Sequence, residues 1–218
     1  MAKQFQRELD RIKKMILSMG AMVEERFNNM VTAIESFDMD IAEQIIKSDY
    51  EIDEMDVEIE EECLKIIALH QPVAVDLRFL AAVLKINKEL ERIGDEAVNV
   101  AQRIQTITKK RGTDFVFDYS LMAEKAQAML KMSLDALVNL DVDGALKVLT
   151  MDDRVDEIKN DAYRLIKDAI RNTPDHVEYL INLLLISRHL ERMADHATNI
   201  AEEVIYMVEG EIVRHSDF

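Results

Sequence analysis

Apolar residues recur every three or four positions along the chain, and the breaks between these stripes divide it into six helices. From Phe5 to about Phe37 the stripe is Leu9, Ile12, Ile16, Met19, Val23, Phe27, Met30 and Ile34. Ser36-Phe37-Asp38 interrupts it, and Asp38 reads as the N-cap of a second helix striped by Ile41, Ile45, Ile52, Met55, Ile59 and Ile66. His70-Gln71-Pro72 ends that helix, with Pro72 suited to the first turn of a third. The third runs to about Lys110 along Val83, Ile86, Leu90, Ile93, Ala97, Val100 and Ile104. Lys109-Lys110-Arg111-Gly112 reads as a helix C-terminus, cations opposing the dipole and Gly beyond the end, and 112–118 as a linker. A fourth helix then reaches about Leu140, Asp141 caps a fifth to about Arg171, and Thr173-Pro174 opens a sixth ending near Gly210.

The second set of three helices repeats the first. Glu89-Leu90-Glu91-Arg92-Ile93-Gly94-Asp95-Glu96-Ala97 aligns with His189-Leu190-Glu191-Arg192-Met193-Ala194-Asp195-His196-Ala197 at an offset of 100 residues. Upstream, at an offset of 103, Asp38, Ala42, Asp49 and Asp53 meet Asp141, Ala145, Asp152 and Asp156. The chain is therefore expected to be all-α, an internal duplication of two tandem three-helix bundles spanning 1–111 and 117–210.

Composition narrows the class. Five Gly, two Pro and 6% aromatic residues suit helices throughout. A formal charge of −16 repels nucleic-acid phosphates and anionic lipid headgroups, so neither is an expected partner. Cys63 stands alone, in keeping with a reducing compartment, and reads as a small core residue. No apolar run is long enough to span a bilayer and the N-terminus lacks a signal core, so a soluble cytoplasmic protein is expected. The thirteen Met residues read as core filler.

The duplication also repeats a chemical feature, four acidic pairs at i, i+4: Asp49/Asp53, Glu91/Asp95, Asp152/Asp156 and Glu191/Asp195. Members of such a pair share a helix face about 6 Å apart along the axis. Helices folded back at a turn bring residues equidistant from it to one height. The midpoint of 51 and 93 is Pro72, and that of 154 and 193 falls at Thr173-Pro174, so each half is expected to face four carboxylates across one hairpin. Clustered carboxylates repel unless a cation neutralises them. Oxygen donors suit magnesium, manganese or oxidised iron, and no Cys cluster supports a thiolate zinc site. His189, His196, Asn99 and Asn199 are candidate additional ligands. Gly94 and Ala194 keep the approach of the helices close. Two other readings use the same residues: a solvated acidic surface, or a salt-bridge network drawing on Arg92, Arg154 and Arg192. The acidic run from Asp53 to Glu62 reads as a solvated face.

With the duplication and these four (Glu/Asp)-x-x-x-Asp motifs, and with Leu-Glu-Arg at 90–92 and 190–192, the chain resembles the PhoU family of bacterial phosphate-transport regulatory proteins from about Phe5 to Gly210. That resemblance implies two three-helix bundles, often dimeric, with surface metal clusters on the motif faces in some members, and the ions expected at the carboxylate clusters of this chain are iron, manganese, magnesium or zinc. It implies a cytoplasmic, non-enzymatic negative regulator of phosphate uptake, coupling a phosphate ABC transporter's ATPase to a sensor histidine kinase. His196 stands where the other half has Glu96, so the two sites need not bind alike. The alternatives are a metal-free helical adaptor and a carboxylate-bridged dimetal enzyme. Ferritin-like dimetal sites use Glu-x-x-His, and here the third residue after Glu91 is Gly94 and after Glu191 is Ala194.

Overall fold

Each apolar stripe winds into a helix whose buried side faces one continuous core, seen in a computed structural model that describes residues 2–109 and 114–213. The helices are α1 (Ala2–Ser36), α2 (Met39–Lys47), α3 (Asp49–His70), α4 (Ala74–Lys109), α5 (Ser120–Asn139), α6 (Val142–Asn172) and α7 (Val177–Glu209). They form six rods, because α2 and α3 are one rod broken at Ser48. The apolar stripes of α1 and α4, among them Phe27, Met30, Ile86, Leu90 and Ile104, are almost completely buried, as are Leu183, Ile186, Leu190 and Ile200 on α7. Full burial of one such side chain stabilises the fold by about 1.5–3 kcal/mol. Cys63 and Met19, Met30, Met122 and Met129 are core residues, as their spacing suggests.

The ends follow the predicted chemistry with three corrections. Asp38 caps α2 by accepting from the Asp40 and Ile41 N–H groups at 2.8 and 3.1 Å, and Asp141 caps α6 by accepting from Gly144 N–H at 3.1 Å. Pro72 is not in the first turn of α4, which begins two residues later at Ala74. Pro174 begins a single 3-10 turn, Pro174–His176, that precedes α7. The continuous second helix expected from 39 to 70 is interrupted at Ser48, whereas its counterpart α6 runs unbroken. At the break the Ser48 carbonyl accepts from Glu51 N–H at 3.1 Å, a tighter turn than the α-helix, and also from Arg26 Nη2 at 2.5 Å, while Met151 and Met129 occupy the matching positions of the second repeat. Only Lys109 of the expected helix end at 109–112 lies within the described residues, as does 114–118 of the linker. There the Tyr119 hydroxyl donates to the Leu183 carbonyl at 2.5 Å and the Tyr179 hydroxyl to the Phe115 carbonyl at 3.0 Å, fastening the linker to α7.

Each repeat packs its three rods on one another, and α4 lies along α7 where the repeats meet. The two run antiparallel, since their cross-links descend α7 as they climb α4. Arg78 reaches the Met207 carbonyl at 3.1 Å, Lys85 reaches Glu203 at 3.0 Å, Glu89 lies 2.7 Å from His196, Glu96 lies 2.6 Å from His189, and Arg103 reaches Asn182 at 3.3 Å. No helix among the described residues is long and apolar enough to cross a membrane.

Candidate metal centres

The hairpin geometry brings the carboxylates of each repeat near one another, but among the described residues only the first repeat has three whose oxygens converge within 4.8 Å. In the first, α3 supplies Asp49 and Asp53 from its first two turns, and α4 supplies Asp95 and Glu91 from mid-helix. One oxygen each from Asp49, Asp53 and Asp95 lies within 4.8 Å of the others. Donors on opposite sides of a cation bonded at about 2.1–2.5 Å stand about 4–5 Å apart, so this spacing fits an oxygen-ligated divalent ion. Gly94 permits the approach: a Cβ there would lie 3.1 Å from Ile52 Cδ1 of α3 and 3.5 Å from Arg26 Nη1.

Electrostatics mark the cluster as underneutralised. Burial, reinforced by the charges of Glu91, Asp49 and Asp53, pushes Asp95 up to about 6. Burial likewise raises Asp49, against the pull of Arg26, whose Nη1 lies 2.7 Å from Asp49 Oδ1. Glu91 sits slightly apart, accepting from Lys88 Nζ at 2.8 Å, and Lys88 also lies 3.5 Å from Asp56. Asp56 is buried and held by Asn87, whose Nδ2 donates to its Oδ1 at 2.8 Å.

The second cluster holds the same four positions in a different state. Lys159 Nζ lies between Asp156 Oδ1 and Glu191 Oε1, at 2.7 and 2.8 Å. Those hydrogen bonds raise the Lys159 pKa despite its partial burial. Asp152 and Asp195 are left facing one another and the remaining charge: burial first, then Glu191, Asp152 and Asp156, pushes Asp195 up to about 6. Asp152 is raised by burial and by Asp156 and Glu191. At the Lys159 position the first repeat has Asp56, so there the cations come instead from Arg26, on Asp49, and Lys88, on Glu91.

The candidate additional ligands lie on the α4–α7 seam. His196 Nδ1 and Asn199 Nδ2 lie 2.7 and 2.9 Å from Glu89 Oε2, while His189 Nδ1 lies 2.6 Å from Glu96 Oε2 and Asn99 Nδ2 is 3.4 Å from the same oxygen. The arrangement is reciprocal: positions 89 and 96 are Glu, and 189 and 196 are His. Burial opposes ionisation of both glutamates, but the hydrogen bonds from histidine and asparagine outweigh it and hold Glu89 and Glu96 below the usual range. The buried His196 Nε2 has no hydrogen-bond partner among the described residues.

Of the arginines offered for a salt-bridge network, Arg92 and Arg192 join this seam, at 3.5 Å from Glu89 and 3.0 Å from Glu96, and Arg154 pairs with Glu157. The cations that do meet the clusters are Arg26, Lys88 and Lys159, none of them among those arginines. Arg26 had a legible signal: it lies midway, at seven-residue spacing, between the buried Met19 and Ala33.

Comparison with known proteins follows the same duplication. A family model described as the PhoU domain matches residues 16–104 and again 119–204. The phosphate-specific transport system accessory protein PhoU homolog of Pseudomonas aeruginosa is 37% identical over 98% of this chain and 89% of its own length. The homolog of the same name from Clostridium acetobutylicum is 35% identical over 99% of both chains. A crystal structure of PhoU from Pseudomonas aeruginosa is similar at a TM-score of 0.91 and 36% identity, covering 95% of this chain and all of that one. The phosphate transport system regulatory protein PhoU from Streptococcus pneumoniae follows at 0.84 and 28%, covering 96% and 99%.

Proposed function

The chain belongs to the PhoU family, and from that premise we propose that it regulates phosphate transport, restraining uptake as a cytoplasmic, non-enzymatic partner of a phosphate ABC transporter's ATPase and of a sensor histidine kinase. The observation that carries this reading is likeness over nearly the whole length to relatives named as phosphate-specific transport system accessory proteins. A bacterium lacking its own PhoU tests it: producing this chain should restore restraint on phosphate uptake in phosphate-rich medium. Unrestrained uptake in the presence of folded protein overturns the reading.

The same proposal gives the carboxylate clusters a cation-binding role. Asp49, Asp53, Glu91 and Asp95 would hold one site, and Asp152, Asp156, Glu191 and Asp195 the other, with magnesium, manganese, iron or zinc as the ion. The 4.8 Å convergence of Asp49, Asp53 and Asp95 and the raised Asp95 support it. A bound ion would neutralise the carboxylates and tie the two arms of the hairpin. The residues themselves already set the terms, because Arg26 fixes Asp49 at the head of α3 and Lys88 holds Glu91. Homodimerisation belongs to the same reading, and sedimentation equilibrium decides it. Elemental analysis of protein purified without chelator should find metal that a folded Glu91→Ala/Glu191→Ala variant lacks. Absence of metal from both, even after reconstitution, assigns the clusters to solvated surface or partner contacts.

A further inference from the structure

Helix α3 carries nine acidic residues against one lysine. Its buried side is Ile52, Asp56, Ile59, Cys63 and Ile66. At about 100° per residue, the opposite side is centred on Tyr50, Val57 and Leu64, each seven residues from the next. These three are large apolar side chains yet 56%, 53% and 52% exposed. They form a straight stripe about 21 Å long on a helix whose inner side is already satisfied by the core. Burying such groups against a partner would be favourable; leaving them in water is not.

Acidic residues flank the stripe on both sides. Glu54 and Glu61 lie on one side and Glu60 on the other, all exposed and without an ion pair among the described residues. The nearby acids that are paired look elsewhere: Glu58 meets Arg11 at 3.2 Å, and Lys65 is taken by Glu62 at 3.0 Å. An apolar residue at every seventh position supplies one of the two apolar positions per heptad of paired helices, and here acids take the neighbouring positions, where charge chooses the partner. Acidic flanks on a chain of charge −16 repel a second copy of themselves and attract a cationic helix. The second repeat lacks the pattern. At the matching positions it has Asp153, Asn160 and Lys167, so the duplication that preserved the core did not preserve this line.

We propose that the outer face of α3 is a docking surface for an amphipathic helix of a partner protein, one that presents an apolar stripe between lysine and arginine flanks. The proposal deepens the regulatory reading by naming the surface and the chemistry of its partner. Tyr50, Val57 and Leu64 supply the buried contact, while Glu54, Glu60 and Glu61 select for basic flanks and against acidic ones.

The test uses the full chain and a fluorescent synthetic peptide of three heptads, with Leu and Ile on one stripe and Lys and Arg beside it. Binding is read by anisotropy against a peptide of the same composition with its apolar residues scrambled. The patterned peptide should bind about tenfold or more tightly than the scrambled one, and its affinity should fall as salt rises. Val57→Glu/Leu64→Glu should weaken binding about tenfold or more even though it adds negative charge, which by itself would strengthen attraction to a basic peptide. Glu54→Lys/Glu61→Lys should weaken it too, while Glu157→Lys/Asp161→Lys on α6, an equal change of charge, should leave it within about twofold. All these positions are exposed, and circular dichroism verifies the fold. Equal binding of patterned and scrambled peptides, or equal loss from the α3 and α6 charge reversals, overturns the proposal and leaves only diffuse charge attraction. Self-association of the wild-type chain that Val57→Glu/Leu64→Glu abolishes would overturn it in favour of a second copy as occupant. Failure here with restored control of phosphate uptake in the complementation assay rejects the surface and keeps the regulatory role; failure of both rejects the role.

Discussion

Asp95 and Asp195 carry the chemistry of their clusters because each stands among three other carboxylates at a border between core and solvent. Their folded values of about 6 lie above the ordinary 3.8, so the folded chain retains protons that the unfolded chain has released. Without a cation, this contribution to stability is present below about pH 4 and is lost as pH rises through about 6. Metal-free protein is therefore expected to melt at a lower temperature at about pH 8 than at about pH 5. Manganese should raise the melting temperature more at the higher pH, where no proton has to be displaced. Asp95→Asn/Asp195→Asn should flatten both trends; thermal melts with and without chelator check this. Lys159 makes a second residue-scale test, because its ammonium already occupies the place between Asp156 and Glu191. Lys159→Met, isolated from metal, should lose about 1–2 kcal/mol in urea unfolding, moderated by its partial exposure. Added manganese should recover that loss, and calorimetry should show tighter binding at the second cluster than in the wild type.

At the scale of the element, the two repeats build the same rod in two ways. α6 runs from 142 to 172 without interruption, while its counterpart divides into α2 and α3 at Ser48, whose carbonyl accepts from Glu51 N–H in a tighter turn and from Arg26. The nine residues of α2 then depend on their own ends. Short helices have little cooperative reserve, so the Asp38 cap matters more than the equivalent Asp141. Asp38→Ala is expected to cost about 1–2 kcal/mol and to speed amide exchange through 39–47, whereas Asp141→Ala should cost about 0.5–1 kcal/mol with exchange changed only in the first turn of α6. Hydrogen exchange followed by mass spectrometry separates the two outcomes. The break also has a use, since it makes Asp49 the first residue of α3, within reach of Asp53, Asp95 and the Arg26 guanidinium.

For the molecule as a whole, the antiparallel α4–α7 seam joins the repeats through a charge pattern that maps onto itself when they are exchanged. Glu89 meets His196 and Asn199, and Glu96 meets His189 and Arg192. Both glutamates are held below 4.5, so their contribution is fully present above that value and is lost as pH falls through their folded values. Glu89→Gln/Glu96→Gln keeps the shape and removes the charge. It is expected to cost about 2–4 kcal/mol at neutral pH and to reduce the loss of stability on acidification, read by urea unfolding at about pH 7 and about pH 4. Because the core is continuous across the seam, wild type and variant should each unfold in one transition.

Much of this was legible in the chain itself. The stripes of α1, α4 and α7 are long enough for periodicity to define their buried faces, and the matching offsets revealed two repeats. Equal distances from each turn were enough to bring Asp49 and Asp53 opposite Asp95, because helix rise depends on residue number alone. Tertiary structure decided what neutralises those carboxylates. Arg26 arrives from a third helix, Lys159 turns towards Glu191 on another, and His196 is spent on Glu89 across the seam. It also decided where α2 ends, since the Ser48 carbonyl at the break takes a guanidinium 22 residues away as a second donor beside Glu51 N–H. Local spacing determines which face of a helix a residue occupies, but the partner on that face is set by how separate helices pack, and no single stripe contains that information.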